Sequence, residues 1–255
     1  MEVRTGLITG ASSGIGAALA EALAAPGVVL HLSGRDAGRL EAVAAACRAR
    51  GAETRAAVLD VRDVEAMAGW VRGAGRLDLV VANAGVSGRS PEGGAEDAAK
   101  TRAIFDINLD GVLNTVLPAL EVMAGQAPGA NGVRGRIVAV ASLAAFMAAP
   151  DSAAYCASKA AVHGWLIARA LKARKQGVLL TSACPGFIRT PMTQGYRFPM
   201  PGLMDAERAA GIILRGVAAG RLKVVFPWWM GLAARFAGML PPRLMAAVVV
   251  RRTKA

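Results

Sequence analysis

The sequence has little of what several protein classes require. Its three cysteines, Cys47, Cys156 and Cys184, form no CxxC pair, which suits a reducing compartment better than a disulfide framework. Two histidines, His31 and His163, are too few to suggest a metal site. The N-terminus lacks the apolar run of a signal peptide, and no stretch offers the ~20 uninterrupted apolar residues of a membrane span. We therefore expect a cytoplasmic protein that holds no metal.

Acidic residues are also scarce: 18 Asp and Glu stand against 30 Lys and Arg, a formal net charge of +12. The basic residues are dispersed, and four Trp and two Tyr provide few positions for interleaved stacking, so we expect no nucleic-acid partner. Two interpretations stay open. The basic residues either form a solvated surface or attract anionic lipid or an anionic cofactor.

The chain has a regular alternation of apolar and helical segments. Short apolar runs alternate with longer Ala-rich helical patterns, and this order predicts a parallel sheet covered on both faces. Right-handed helical crossovers then give a doubly wound α/β fold, with a mostly parallel seven-stranded sheet in a single domain over residues 1–255. The runs are residues 7–9, 28–30, 56–59, 79–81, 137–140, 178–180 and 224–226.

A glycine-rich turn follows the first predicted strand. Glycine lets the backbone turn tightly and approach a pyrophosphate, and the helix that follows directs free N–H groups at that anion. The turn therefore predicts a dinucleotide-phosphate site. Its GxxxGxG spacing, close to the start of the chain, resembles the short form of the short-chain dehydrogenase/reductase family. The residues assigned to the cradle are Gly10, Ser12, Ser13, Gly14, Ile15 and Gly16.

The second strand ends at Gly34 and Arg35. A carboxylate at this strand tip binds an unphosphorylated ribose, whereas an arginine pairs with a 2′-phosphate. Gly34 stands where NAD-preferring members of the family carry Asp, and Arg35 follows it. The sequence therefore favours NADP(H), while Asp36, one residue later, leaves NAD(H) open.

Tyr155 and Lys159 are four residues apart in a predicted helix, which places them on one face. A tyrosine titrates near ~10, so it works as an acid–base group at neutral pH only if a cation favours its ionised form. Lys159, one turn away, supplies that cation. The YxxxK spacing alone often occurs on helices by chance. It is informative here because the other motifs of the family accompany it.

The family resemblance implies a role for each member of a catalytic tetrad. Ser142 hydrogen-bonds the substrate oxygen and Tyr155 transfers the proton. Lys159 holds the nicotinamide ribose and depresses the pKa of Tyr155. Asn108 anchors a water that links Lys159 to solvent. The implied enzyme moves a hydride between nicotinamide and a carbonyl or alcohol.

The same resemblance implies further cofactor contacts after three strands. Asp60 would contact the adenine, and an Asn-Ala-Gly motif would line the cleft. A PGxxxT motif would orient the nicotinamide carboxamide. Family members are often dimers or tetramers built from the helices near residues 100–123 and 153–175. The implied contacts are Asp60, Val61, Asn83, Ala84, Gly85, Pro185, Gly186, Ile188 and Thr190.

Residues 192–204 lack a period and predict a mobile substrate lid. The expected pocket lining is apolar and Met-rich, which favours a lipophilic ketone, aldehyde or secondary alcohol. The alternatives are an NAD-linked alcohol dehydrogenase and a non-catalytic NADP(H)-binding or membrane-surface protein. The expected lining residues are Phe146, Met147, Tyr196, Phe198, Met200 and Trp228.

The C-terminal extension, residues 227–255, combines Trp228 and Trp229 with apolar segments and with Arg235, Arg251 and Arg252. Apolar faces with tryptophan and flanking arginine suit a helix at a membrane interface, here the inner face of the membrane. They equally suit a lid over an apolar substrate or a subunit contact, and the family resemblance, which implies that the C-terminal region shapes the substrate pocket, favours these two interpretations over membrane attachment.

Overall fold

A seven-stranded sheet forms the centre of the protein. The computed structural model describes residues 1–87, 96–129, 131–194, 196 and 198–241. The strands are β1 (Thr5–Thr9), β2 (Val29–Gly34), β3 (Glu53–Val58), β4 (Leu79–Ala82), β5 (Gly135–Val140), β6 (Val178–Pro185), β7 (Ile188–Arg189), β8 (Met204–Asp205) and β9 (Lys223–Phe226). The order in the central sheet is β3-β2-β1-β4-β5-β6-β9, and each neighbouring pair runs parallel.

Helices connect the strands. Between α4 and α5 the chain forms a π-helical turn at Asp106–Asp110, and two 3-10 turns, Leu143–Phe146 and Pro150–Ser152, precede α6. The α-helices are α1 (Gly14–Leu23), α2 (Ala37–Ala49), α3 (Val64–Gly73), α4 (Ala98–Phe105), α5 (Gly111–Gly125), α6 (Ala153–Lys175), α7 (Ala206–Ala218) and α8 (Trp228–Met239).

Neighbouring residues of a strand enter different cores, because side chains alternate across a sheet. On β1, Ile8 packs in a cluster with residues of α1, α2 and α7, whereas Leu7 packs in a second cluster with residues of α3, α5 and α6. Both faces of the sheet are therefore covered, and the predicted doubly wound α/β fold is confirmed. The strand order reverses between β1 and β4, and this is where open α/β sheets bind ligands.

Two local details differ from the sequence pattern. The apolar pattern predicts the first helix to about residue 25, but α1 ends at Leu23, ahead of Pro26, which disfavours helical conformation in Ala25. The segment 192–204 was expected to be aperiodic, yet its last residue, Met204, pairs with Ile188 in a separate two-stranded sheet. This pairing anchors the C-terminal end of the predicted lid to the strand that follows β6.

One helical stretch within the described ranges, Ala98–Gly125, is long and apolar enough to cross a membrane by length and composition. Its most apolar window has a mean hydropathy of 1.2, and 56% of that window is buried inside the protein. The stretch includes α5, which packs on the central sheet, so its apolar character is that of a core helix.

Candidate active site

The glycine-rich turn brings β1, α1 and β4 into contact that leaves no room for side chains. Gly10 and Gly14 have φ angles of 64° and 57°, which favour glycine. A Cβ on Gly16 would lie 2.3 Å from the Gly10 carbonyl oxygen. Ser13, the N-cap of α1, makes no side-chain capping bond, so the first turn can donate its N–H groups to an anion. These residues fit the pyrophosphate of a dinucleotide.

Thr9 and Asn83 join the ends of β1 and β4 beneath this turn. The Asn83 amide nitrogen Nδ2 donates to the carbonyl oxygens of Thr9 and Gly10, both at 3.1 Å. The Thr9 hydroxyl in turn accepts from the backbone N–H groups of Asn83 at 3.1 Å and Ala84 at 3.3 Å. The Asn-Ala-Gly motif therefore supports the turn, and Asn83, Ala84 and Gly85 line the cleft beside it.

At the tip of β2, Arg35 is exposed and lines the same cleft. The Asp36 carboxylate instead caps α2, accepting from Arg39 N at 2.9 Å and from Arg39 Nε at 2.8 Å. A Cβ on Gly34 would lie 3.1 Å from the Ser12 side chain, so a carboxylate at position 34 would be crowded. The strand tip thus presents a guanidinium, while the neighbouring carboxylate is engaged by its own helix.

Asp60 and Val61, after β3, line the cleft at the end where the sequence places the adenine. The Asp60 carboxylate is paired with Arg62, whose Nη2 lies 2.6 Å from Oδ2. Hydrogen bonding to Arg62 lowers the pKa of Asp60. Val61 is buried, and its carbonyl accepts from Asn114 Nδ2 at 2.9 Å, which ties this loop to α5.

Asn108 lies in the π-helical turn between α4 and α5 and is fully buried. Its amide pairs with the backbone of Val86: Oδ1 accepts from Val86 N at 2.8 Å, and Nδ2 donates to Val86 O at 3.0 Å. The same Nδ2 lies 3.2 Å from the Ser158 hydroxyl. Widened turns of this kind are frequent at functional sites, and this one links β4 to the Tyr155 helix.

Tyr155 and Ser142 converge from two elements. Ser142 ends the β5 segment, and its hydroxyl accepts from Ala144 N at 3.1 Å while capping a 3-10 turn. Tyr155, on the first turn of α6, lines the same cleft as Ser142. Burial raises the pKa of Tyr155 to about 12, against a smaller lowering by the Ser142 side chain. Tyr155 is therefore protonated at neutral pH in this environment.

Lys159 is buried one turn further along α6. Its Nζ donates to Val140 O at 2.8 Å and lies 5.9 Å from the centre of the Tyr155 ring. Burial lowers the pKa of Lys159 to about 8. The sequence led us to expect that Lys159 depresses the pKa of Tyr155. Burial of the phenol is the largest influence on its pKa, and the effect of Lys159 on that pKa stays a prediction.

The PGxxxT segment closes the cleft from the other side. Pro185 ends β6, and the Gly186 N–H donates to Phe226 O at 2.8 Å. Ile188 begins β7, and a Cβ placed on Gly14 would lie 2.9 Å from the Thr190 methyl carbon. The segment after β6 thus touches the glycine-rich turn after β1, so the phosphate and nicotinamide ends of the predicted site belong to one cleft.

The cleft and an apolar cavity form one continuous space of about 1590 Å³. Met147, Tyr196, Phe198 and Met200 line it, as the sequence predicted. Two predicted lining residues lie elsewhere: Trp228 is 71% exposed on the outer side of α8, and Phe146 packs edge-on against His163. The sequence did not identify the inner side of α8, which contributes Trp229, Met230, Ala233, Ala234 and Ala237, with Phe236 at the border of the cavity and Leu240 directly after the helix.

Sequence reasoning missed the residues that support the predicted ones. Thr9, Val140 and Ser158 act through a hydroxyl or a backbone carbonyl, and such contacts leave no pattern in a single sequence. Ser158 offered one signal, since it precedes Lys159 and lies one turn beyond Tyr155. Within the described ranges, no group of three or more His, Cys, Asp or Glu side chains could hold a metal ion.

A family model described as short chain dehydrogenase matches residues 4–199. The chain therefore belongs to the short-chain dehydrogenase/reductase family, and it is an oxidoreductase of that family.

Individual relatives agree with this assignment. An uncharacterized oxidoreductase of Myxococcus xanthus (strain DK1622) is 36% identical over 260 residues, covering 98% of each chain. A monensin polyketide synthase putative ketoacyl reductase of Streptomyces virginiae is 36% identical, covering 81% of this chain and 79% of that protein. A solved short chain dehydrogenase from Mycobacterium paratuberculosis, bound to NAD, has a TM-score of 0.73 at 25% identity, covering 87% of this chain and 95% of that one. Solved structures of this fold hold NAD or NADPH.

Proposed function

We propose that the protein is an NADP(H)-dependent reductase of lipophilic ketones or aldehydes, with Tyr155 as the proton donor. One observation carries the proposal: Ser142, Tyr155 and buried Lys159 line the same cleft, with Lys159 Nζ 5.9 Å from the centre of the Tyr155 ring. These groups line the passage between the phosphate cradle and the apolar cavity. A protein that only bound the cofactor would have no need of a phenol and a hydroxyl converging there.

In the reaction, nicotinamide supplies the hydride when bound. The protein orients the carbonyl and stabilises the negative charge that grows on its oxygen. Ser142 and Tyr155 donate hydrogen bonds to that oxygen. Because burial raises the pKa of Tyr155 to about 12, its hydroxyl keeps its proton until the developing alkoxide accepts it.

Lys159 is proposed to hold the ribose hydroxyls of the nicotinamide half. With a pKa lowered by burial to about 8, it carries a positive charge at neutral pH and donates to Val140 O at 2.8 Å. Asn108, which is held by the Val86 backbone and lies 3.2 Å from the Ser158 hydroxyl, is proposed to anchor a water that links Lys159 to solvent. The other proposed cofactor contacts are the cradle residues, Asp60, Val61, the Asn83–Gly85 motif and the Pro185–Thr190 segment.

The preference for NADP(H) rests on the tip of β2. Arg35 is exposed in the cleft, where it can pair with a 2′-phosphate. The competing carboxylate, Asp36, is engaged by the α2 N-terminus and by Arg39. Asp36 also lines the cleft, but its two hydrogen bonds with Arg39 hold its carboxylate at the α2 N-terminus, whereas Arg35 has no such partner among the residues that the structure describes.

The proposed substrate class rests on the cavity lining. Met147, Phe198, Met200 and Trp229 offer apolar surface and few polar partners, which favours a lipophilic carbonyl compound. The Streptomyces relative named as a putative ketoacyl reductase supports reduction of a carbonyl on an acyl chain. We also propose a cytoplasmic location and a homodimer or homotetramer, as is common in the family.

The test is a titration of the purified protein with NADPH and with NADH, followed by nicotinamide fluorescence. We expect tighter binding of NADPH. Arg35→Ala should weaken NADPH by about 10- to 100-fold and leave NADH unchanged, because it removes a charge-assisted phosphate contact. Arg55→Ala, which removes an exposed arginine outside the cleft, is the matched control. A wild-type preference for NADH would instead assign the ribose to Asp36 and favour alcohol oxidation.

A further inference from the structure

Helix α8 has an apolar face that nothing in the described structure covers. Trp228 is 71% exposed, Leu232 56%, Phe236 68% and Met239 83%. At 3.6 residues per turn these four positions lie within an arc of about 80°, so they form one stripe along the helix. We call these four residues the outer stripe. Exposed aromatic and aliphatic side chains this dense mark a contact surface rather than scattered surface residues.

The opposite side of α8 packs closely against the body of the protein. A Cβ on Gly231 would lie 2.4 Å from Val225, and one on Gly238 would lie 2.2 Å from the Phe146 carbonyl oxygen, so both glycines let the helix approach closely. Trp229 and Phe236 line the substrate cavity and are also 44% and 68% exposed. The outer stripe therefore runs along the border of the cavity on a helix that is held in place.

The part of the sequence that contains the stripe carries charge of one sign. From Arg208 to the end of the chain the sequence contains nine Lys and Arg residues and no Asp or Glu. Within α8 itself the single charged residue is Arg235, whose guanidinium carbon lies 4.7 Å from the centre of the Phe146 ring. An anionic surface would neutralise this segment at the same time as it accepts the apolar stripe.

A membrane surface fits these features better than a second copy of the chain. Two copies that met through α8 would bring two uncompensated basic segments together, and like charges at an interface are costly. An anionic bilayer instead attracts the basic segment, accepts tryptophan at the headgroup level and buries aliphatic side chains below it.

We propose that the outer stripe of α8 docks the protein on the surface of an anionic lipid bilayer, so that the border of the substrate cavity faces the membrane. The helix lies on the bilayer and does not cross it. A lipophilic substrate dissolved in the bilayer would then reach the cavity without passing through water. The docking does not depend on the proposed reaction, because vesicle binding needs no turnover.

The experiment is sedimentation of the full-length protein with vesicles in the presence of NADPH. Vesicles of phosphatidylcholine are compared with vesicles that also contain phosphatidylglycerol. We expect the protein to sediment with the anionic vesicles and to bind them at least about tenfold more tightly than the zwitterionic ones, because basic residues add to apolar burial.

The double variant Leu232→Glu/Met239→Glu tests the stripe itself. Neither residue lines the cavity. We expect this variant to remain in the supernatant with normal NADPH binding, which shows that it is folded. The matched control is Leu171→Glu/Val64→Glu, which makes the same charge change at positions 74% and 61% exposed on α6 and α3. The control should sediment like the wild type.

Three results would overturn the proposal. The wild type does not bind anionic vesicles, or the stripe variant and the control lose binding equally. The third concerns a second copy of the chain: without vesicles, analytical ultracentrifugation shows an oligomer in the wild type that the stripe variant alone loses. That outcome would assign the stripe to a subunit contact instead.

Discussion

The two ends of the cleft are built in different ways. At the phosphate end, backbone meets backbone: a Cβ on Gly10 would lie 2.8 Å from the Ala84 Cα, and one on Gly16 would overlap the Gly10 carbonyl oxygen. At the substrate end, side chains meet side chains, with the Tyr196 and Phe198 rings stacked at 5.0 Å and Phe198 edge-on to Phe187 at 5.8 Å. The first end excludes nearly all substitutions, whereas the second tolerates changes that preserve volume.

This contrast determines where specificity can change. A site made by backbone geometry serves any chain that binds the same dinucleotide. A site made by apolar side chains is adjusted one residue at a time. Tyr155 and Lys159 lie where the two ends meet, and variants there and at each end test this contrast.

Tyr155→Phe should have the largest effect. Removing the hydroxyl removes the proposed proton donor, and general acid catalysis contributes roughly 10²- to 10⁴-fold, so turnover should fall by about that factor. NADPH binding should stay within about twofold, because the ring still fills its place. Steady-state reduction of an aromatic ketone and a fluorescence titration measure the two quantities.

Tyr196→Phe supplies the control for Tyr155→Phe, since it removes the other phenol hydroxyl in the cavity. Normal turnover in Tyr155→Phe, or an equal loss in the two variants, would contradict the assignment of the proton to Tyr155.

Gly16→Ala should have the next largest effect. The new Cβ would lie 2.3 Å from the Gly10 oxygen and 2.6 Å from Asn83 Nδ2, so the turn must move. We expect a loss of NADPH binding of about 100-fold, because backbone donors act only when they are aimed at the phosphate.

Gly69→Ala is the matched control, because Gly69 lies inside α3 with nothing within 4 Å of its added Cβ. It should bind NADPH normally and gain up to about 1 kcal/mol of stability. Normal cofactor binding in Gly16→Ala would show that the phosphate end is less rigid than its close backbone contacts imply.

The same contrast explains what the sequence could predict. Apolar runs alternating with helices are sufficient for the doubly wound sheet, and glycines at 10, 14 and 16 are sufficient for the turn after β1, because both follow from backbone geometry. The inner side of α8 and the exposure of Trp228 could not be predicted. Which face of a terminal apolar helix turns inward depends on contacts such as Gly231 with Val225 and Gly238 with Phe146, which join distant parts of the chain.

Lys159→Met should raise stability while it abolishes activity. The pKa of Lys159 falls from 10.5 in the unfolded chain to about 8 in the folded one. Below pH 8 the folded protein therefore bears the full cost of a buried charge. Relief of this cost exceeds the loss of the hydrogen bond to Val140 O. The free energy of unfolding of the variant at pH 7 should therefore be about 2 kcal/mol higher than that of the wild type, which raises Tm by about 5 °C.

The pH dependence checks the sign of this effect. Between pH 8 and 10.5 the unfolded chain binds a proton that the folded chain releases, so wild-type stability rises with pH in this window. The margin between variant and wild type should shrink accordingly in thermal unfolding scans without cofactor. A variant that is less stable at pH 7, or a margin that is constant with pH, would show that the site accommodates the charge without cost.

The smallest effect is expected at the substrate end. The Tyr196 hydroxyl hydrogen-bonds the Ser87 hydroxyl across the cleft, joining the segment after β6 to the end of β4. Tyr196→Phe removes this bond but keeps the stacked ring, so KM for the carbonyl substrate should rise roughly 2- to 10-fold with kcat nearly unchanged. Ser87→Ala should have the same effect, and the double variant should add little to either, because both changes remove one bond. Fully additive losses would mean that the two hydroxyls act on the substrate separately, and a fall in kcat with constant KM would move Tyr196 from the substrate end into the chemistry of Tyr155.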